Sequence, residues 1–431
     1  MPSNMLPTLQ DVVDQHMCSG CGACAFAYPD SVNMQDTLEQ GRRPNASVRR
    51  RLGELPALPI CPGVGTEATS DEGEVAGYKE LRNDWGPVLE IWEGYATDEQ
   101  IRHRGSSGGV TTALSLCAIE QLNMKGALHT KARDQAPLLN ETTLSKNREE
   151  LLAGSGCRYS PASPCDGLAM VATSDRPCVF VGKPCDVAAA SKARNADPNL
   201  DVRLGFTMAI FCAGTPSTKG TFALARSLGV DHPEKITSIR YRGNGWPGAM
   251  TVTYLDNDGK QKTKSVEYAK GWGETLQKHR QWRCHVCTDH TGETADISIG
   301  DPWYRPIEPG EAGRSLVLVR TERGQRLIRK ALETGYVNLE RRLPEHLNQS
   351  QPHLRQTQAA VWGRTFALKM AGVRTPVKHS WRRFYQWVAV LNLKQKIQSV
   401  VGTVKRIKAK RLHVNETQKT IELPANAQDL I

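Results

Sequence analysis

Val179-Phe-Val-Gly-Lys-Pro-Cys-Asp186 is the stretch that decides the fold class of this 431-residue chain. Three apolar residues make a short buried strand and Gly182 ends it. Pro184 then opens a helix that continues through alanines. The same strand-then-turn pattern recurs in Phe206-Thr-Met-Ala-Ile-Phe211, which runs into Cys212-Ala-Gly-Thr-Pro216, and in Ala295-Asp-Ile-Ser-Ile-Gly-Asp301. Between them lie helical segments such as Val110–Leu122, whose apolar positions 110, 113, 114 and 117 share one face. Strands alternating with helices predict an α/β fold built on a mainly parallel or mixed sheet.

The cysteines carry the chemistry. Cys18, Cys21 and Cys24 form a C-x2-C-x2-C run of the ferredoxin iron–sulfur type. The register that would hold a fourth cysteine before proline reads Tyr28-Pro29, so the remaining ligand must come from elsewhere. Cys61-Pro62 is the obvious donor, which predicts one [4Fe–4S] cluster on Cys18, Cys21, Cys24 and Cys61; a zinc knot is the competing reading. Cys284-x2-Cys287, with Cys185 and Cys212 at strand ends, suggests a second [4Fe–4S] cluster. Cys157 and Cys165 compete as its ligands, while Cys117 and Cys178 read as core. His285 and His290, beside the CxxC pair, are candidate proton donors or ordinary surface residues.

Gly105-Ser-Ser-Gly-Gly109 offers backbone N–H groups at a helix start, with Ser106 or Ser107 as cap, and suits a ring or phosphate. Asp296 and Asp301 flank a strand, and Asp301 is placed to bind ribityl or ribose hydroxyls, against a solvated strand end as the alternative.

The N-terminus lacks a basic start and an apolar stretch, and no segment reaches transmembrane length, so a cytoplasmic, reducing setting is expected. Net charge is +11, and eleven Lys and Arg residues fall between Val373 and His413 without an acid. That region, with Trp381, Phe384, Tyr385 and Trp387 ahead of a basic helix, suits an anionic membrane surface, an acidic electron donor such as ferredoxin, or a helix packed on the body with a solvated basic face. No nucleic-acid motif is present. The expected organisation is an N-terminal iron–sulfur segment at 1–70, a linker at 71–90, a catalytic domain at 91–345 and a basic helical tail at 346–431.

In order along the chain, Cys18-Ser-Gly-Cys-Gly-Ala-Cys24, Gly105-Ser-Ser-Gly-Gly109, Gly182-Lys-Pro-Cys185, Phe211-Cys-Ala-Gly-Thr-Pro-Ser217, Tyr241-Arg-Gly-Asn-Gly-Trp-Pro-Gly248, Cys284-His-Val-Cys287 and Ala295–Asp301 resemble the coenzyme F-420 hydrogenase/dehydrogenase beta-subunit family. The resemblance implies FAD beside one or two [4Fe–4S] clusters. Ser107, Gly108 and Gly109 would lie against the isoalloxazine, and Arg242, Asn244 and Trp246 at the active site. Lys183 stands where the family usually has Thr and would place a charge near flavin or substrate. The implied function is an oxidoreductase that takes electrons from ferredoxin or a partner subunit and delivers them to an organic substrate: a deazaflavin, a tetrapyrrole or a polysaccharide-pathway intermediate. The alternative is a non-catalytic electron-transfer subunit of a larger complex.

Overall fold

The computed structural model describes residues 6–46, 51–65, 77–377 and 380–421. The first part of the expected linker, 71–76, lies outside the described residues, as do 47–50 of the expected iron–sulfur segment. The N-terminal segment is more regular than its glycines and prolines predict. Helices Leu9–Asp14 and Ala23–Ala27 precede an antiparallel hairpin of β1 (Val32–Asp36) and β2 (Arg42–Ala46).

The body is a mixed eight-stranded sheet. Its first five strands in sequence are β3 (Glu90–Ala96), β4 (Ala127–Arg133), β5 (Ala136–Ser145), β6 (Cys178–Gly182) and β7 (Leu204–Ile210). A separate antiparallel sheet follows, made of β8 (Ile236–Arg240), β9 (Ala249–Leu255) and β10 (Gln261–Glu267). The chain then returns to the large sheet with β11 (Ile297–Gly300), β12 (Ser315–Val319) and β13 (Val337–Arg341), in the order β13-β3-β12-β11-β7-β6-β4-β5. Only the centre, β11-β7-β6-β4, is parallel; every other pair is antiparallel, so "mainly parallel" describes the middle alone. β6 and β7 are joined through the helical residues 184–203, the long crossover that parallel pairing needs, whereas β4 returns to β5 through residues 134–135, a turn that fits antiparallel pairing.

Parallel strands buried on both faces read as continuous apolar runs. β11, in the parallel centre, is buried at all four positions, and the antiparallel β12 beside it, Ser-Leu-Val-Leu-Val, at all five. The helix Val110–Gln121 packs on this core with residues 113–118 all buried, wider than one helical stripe. Asp296, just ahead of β11, is a structural pin rather than a ligand. Its carboxylate accepts the Thr207 N–H (2.8 Å) and hydroxyl (3.0 Å) and the Thr321 hydroxyl (2.6 Å).

Residues of the expected basic tail are integrated into the body. Helices Val361–Met370 and Leu393–Ala409 contribute Val361, Leu368 and Ile407 to a cluster that also takes Leu6, Val12, Met17, Trp282 and Val286 and packs against Cys18 and Cys61. After them, the segment 412–421 folds back over β1: Ile421 N donates to Asp36 O (2.9 Å) and Leu38 N to Lys419 O (3.2 Å).

Asp296→Ala strips buried donors of their acceptor at three points. We expect a loss of about 3 kcal/mol in denaturant unfolding; a loss below about 1 kcal/mol would show that Thr207 and Thr321 find other partners.

Candidate functional site

Three neighbouring parallel strands set the site. β6, β7 and β11 end side by side, and the residues just past them are Lys183, Cys212 and Asp301. Ligand sites in open α/β sheets form at this carboxyl edge. Here a cavity of about 290 Å³ opens, walled by the 105–109 turn, Cys157–Tyr159, Lys183, Cys212, Arg242, Asp301 and the rings of Tyr268, Trp272 and Trp303.

The 105–109 turn divides its labour. Ser106, Ser107 and Gly109 face the cavity; Gly108 does not. A Cβ on Gly108 would meet Gly94 O at 2.6 Å and Ser315 N at 2.8 Å, so this glycine lets the helix start press on the sheet. Gly109 has φ +73°, the left-handed backbone that favours glycine. Ser106 Oγ accepts the Cys157 N–H (2.5 Å), and the Ser107 hydroxyl pairs with that of Ser315 at 2.9 Å.

The Arg-Gly-x-Gly-Trp-Pro segment differs from expectation. Arg242 lines the cavity, but its guanidinium is held bidentately by Asp301 (2.7 and 2.9 Å) and donates to Pro247 O (3.1 Å). The Asp301 carboxylate, on the cavity wall, also accepts the Trp246 indole N–H (3.0 Å). Trp246 is off the cavity wall. It stacks on Trp303 (5.4 Å, 8°), and the Arg314 guanidinium lies 4.8 Å from its ring centroid. Asn244 is exposed with φ +56° and is also off the wall. Tyr159, Phe211, Tyr268, Trp272 and Trp303 are the aromatics at the cavity; of these only Phe211 lies in a segment that the sequence singles out, although Trp303 follows Asp301 by two positions.

Cys18, Cys21, Cys24 and Cys61 come together. The Cys24 thiol is pushed up by burial first and then by the charges of Cys18, Cys21 and Cys61. Burial lifts Cys18 to about 11 and Cys61 to about 12. The run can wrap because Gly20 (φ +72°) and Gly22 (φ +90°) both take left-handed backbone.

Cys185, Cys212, Cys284 and Cys287 form a second group. Burial, then the charge of Cys284, lifts Cys212 to about 12, and burial lifts Cys287 to about 11. Backbone donors face this group: Gly214 N lies 3.4 Å from Cys212 Sγ and Thr215 N 3.3 Å from Cys284 Sγ. The competing cysteines fall elsewhere. Cys157 is on the cavity wall, and Cys165 bonds Cys21 through backbone (2.9 Å) and thiol. Cys117 and Cys178 are buried in the apolar core. Among the described residues, no three Cys, His, Asp or Glu side chains converge as they would on a single metal ion.

Two ion pairs border these groups. Lys183 Nζ donates to Asp186 Oδ2 at 2.6 Å, and Asp186 also accepts the Lys183 N–H at 2.9 Å. Burial alone would lower the lysine; the Asp186 carboxylate and the thiols of Cys185 and Cys212 outweigh it and keep the ammonium charged. Arg43, in β2, feels both Cys18 and Cys284. It is 2% exposed and donates to both oxygens of Glu416 (2.5 and 3.1 Å) and to Gln281 (3.0 Å). No local signal could reveal a partner 373 positions away. His285 and His290 are buried and off the cavity; burial holds His290 down at about 4, and its Nδ1 donates to Cys212 O (2.8 Å).

A ligand-sized cavity thus lies at the sheet's carboxyl edge with Cys212, a member of the second thiol group, on its wall. Comparison with known proteins gives the family. Residues 91–169 match the family model for the N-terminal part of the coenzyme F420 hydrogenase/dehydrogenase beta subunit, and residues 175–344 match the model for the carboxyl-terminal part of the same subunit, together more than half of the chain. The chain belongs to the coenzyme F420 hydrogenase/dehydrogenase beta-subunit family. It is 27% identical over 252 residues to coenzyme F420 hydrogenase subunit beta of Methanococcus voltae, covering 56% of this chain and 80% of that one. It is 23% identical over 349 residues to coenzyme F420-dependent sulfite reductase of Methanocaldococcus jannaschii, covering 77% of this chain but 48% of that longer protein. A solved chain of the F420-reducing [NiFe] hydrogenase complex of Methanosarcina barkeri aligns over 78% of this chain and 97% of its own, with 20% identity and a TM-score of 0.49. Cys18–Cys24 and Cys61 precede the residues matched by the family models.

Glu416 is pushed up by burial, but Arg43 and His16 outweigh that and hold it below the usual carboxylate range. Its stabilisation is therefore present above about pH 4.3 and lost as pH falls through the lower folded value. Glu416→Gln should cost about 3 kcal/mol at neutral pH and flatten the acid limb of stability against pH. Parallel acid limbs in the two proteins would show that this pair does not hold the C-terminal segment.

Proposed function

We propose that this chain is a flavin- and iron–sulfur-dependent redox protein that moves electrons between a partner and an organic substrate bound in the 290 Å³ cavity. The observation that carries the reading is the double placement of Lys183 and Cys212. Both line the cavity, and Cys212 belongs to the second thiol group.

The donor sets fit the clusters. Each group offers four thiols, and the sulfurs of Cys18, Cys61, Cys212 and Cys284 meet backbone N–H groups. Such donors compensate thiolate charge that burial alone would disfavour. In this reading Cys18, Cys21, Cys24 and Cys61 hold one [4Fe–4S] cluster, and Cys185, Cys212, Cys284 and Cys287 hold a second. FAD fits a wall of five aromatic residues with small residues at a helix start. When bound, clusters exchange single electrons and a flavin takes up two for delivery as hydride.

The chain's own part is positioning and charge. Ser106, Ser107 and Gly109 allow close approach. The Trp272 and Trp303 rings offer flat apolar surface, and Lys183 keeps an ammonium beside the second thiol group. Asp301 fixes Arg242, and the Trp246–Trp303 stack fixes the ring at the cavity. Arg242, Trp246 and Asp301 are thus positioning residues, and Asn244 has no place in the cavity. A deazaflavin of the F420 type is the first substrate or donor to try, since the relatives carry that coenzyme in their names. The second reading, an electron-relay subunit, is favoured by the relative named as a beta subunit of a hydrogenase. Ferredoxin or a larger redox enzyme would then be the partner.

Anaerobic purification with iron, sulfide, zinc and flavin assays tests the proposal. We expect about eight irons and one flavin per chain. Cys24→Ser and Cys212→Ser should each remove about half the iron. Zinc without flavin would overturn the reading. Half the iron with full flavin would leave the second thiol group without a cluster.

A further inference from the structure

The two last helices are turned inside out. In Leu393–Ala409 the buried positions are Ser399, Thr403 and Ile407, whereas Leu393 (73% exposed), Ile397 (53%), Val401 and Val404 face outward. The preceding helix, Trp381–Val390, does the same: Gln386 is its buried residue and bonds Asn83 O (2.6 Å) and Asp84 (3.0 Å). Trp381 (86% exposed) and Tyr385 (70%) project outward one turn apart. A surface helix normally buries its large aliphatics and exposes its polar face. An outward stripe of four aliphatics costs solvation unless something covers it.

Charge selects the cover. From residue 346 to residue 415 the chain has no Asp or Glu. Lys394, Lys405 and Lys408 are exposed along one flank of the aliphatic stripe at helical spacing. A second copy of this chain would oppose lysines to lysines. Trp, Tyr and long-stemmed Lys around projecting aliphatics suit an interface that is apolar below and anionic above. We propose that these two helices form a docking face for the surface of an anionic lipid bilayer, with Leu393, Ile397, Val401 and Trp381 entering the headgroup–acyl boundary and the lysines meeting lipid phosphates. The contact is with the surface: no helix among the described residues is long and apolar enough to cross a membrane.

The substituted side chains are exposed, whereas Ile407 is the residue of this helix that joins the cluster packed against Cys18 and Cys61, so the inference stands apart from the redox reading. The test is flotation of the full chain with vesicles of phosphatidylcholine, alone or mixed with phosphatidylglycerol. We expect binding to the mixed vesicles only, weakened by salt. The variant Leu393→Gln/Ile397→Gln/Val401→Gln should bind at least about tenfold more weakly. Lys394→Gln/Lys405→Gln/Lys408→Gln should lose the preference for anionic lipid. Both variants replace exposed side chains, and circular dichroism checks their helices. Wild-type protein left with the lipid-free fraction, or a glutamine variant that floats equally well, would overturn the inference. So would a dimer in lipid-free solution that the glutamine variant abolishes, since a second copy would then be the cover.

Discussion

A buried thiol cannot ionise without compensation, and the rest of the site is arranged around that constraint. The Lys183–Asp186 pair stands where it is tightest. Asp186 is felt by Cys21, Cys165 and Cys185, and Lys183 by Cys165, Cys185 and Cys212. The pair therefore borders both thiol groups while Lys183 also lines the cavity. Its backbone makes this possible: Pro184 starts the helix Pro184–Ala196, and Asp186 turns back to the Lys183 N–H. Lys183 is the position where the family resemblance leads one to expect Thr. A threonine could cap the helix but would leave Asp186 buried without a cation.

Arg43 meets the same constraint from the other side. It lies near Cys18 of the first group and Cys284 of the second, and Glu416 neutralises it. Glu416 belongs to the segment that pairs with the N-terminal hairpin, so the pairing that holds the C-terminal residues also places the carboxylate opposite Arg43. This explains why the basic helices do not behave as an appendage. Their inward residues and the first thiol group share one apolar cluster.

The sequence made some of this legible and hid the rest for physical reasons. Strand-to-helix turns at Gly182–Pro184 and Phe211–Pro216 announce themselves through local apolar runs and breakers, so the carboxyl-edge placement of Lys183, Cys185 and Cys212 could be read. Spacing points to Cys61 as the companion of Cys18–Cys24, whereas the company of Cys284 and Cys287 rests on the strand-end positions of Cys185 and Cys212 and leaves Cys157 and Cys165 as rivals. The antiparallel flanks of the sheet could not be read, because pairing between β3 and both β12 and β13 depends on contacts more than two hundred residues apart. Arg242 and Asp301 were both singled out as groups for a ligand. Their mutual bidentate bond is invisible to a motif read one segment at a time. Gly108 illustrates the converse: a glycine in a cofactor-like loop serves the sheet instead.

The charge left for a ligand follows from these pairings. Three cations stand on the cavity wall: Arg158, Lys183 and Arg242. Asp186 takes Lys183 and Asp301 takes Arg242. Arg158 has neutral partners instead, donating to Asn140 Oδ1 (2.7 Å), Ile239 O (2.9 Å) and Pro137 O (2.7 Å). Burial lowers its affinity for a proton, but an arginine stays charged at neutral pH. Negative charge arriving in the cavity therefore meets a guanidinium whose field no carboxylate among the described residues cancels by direct pairing. Arg158, next to Cys157 in a stretch notable for its thiols, is thus the cavity-wall Lys or Arg without a carboxylate partner among the described residues.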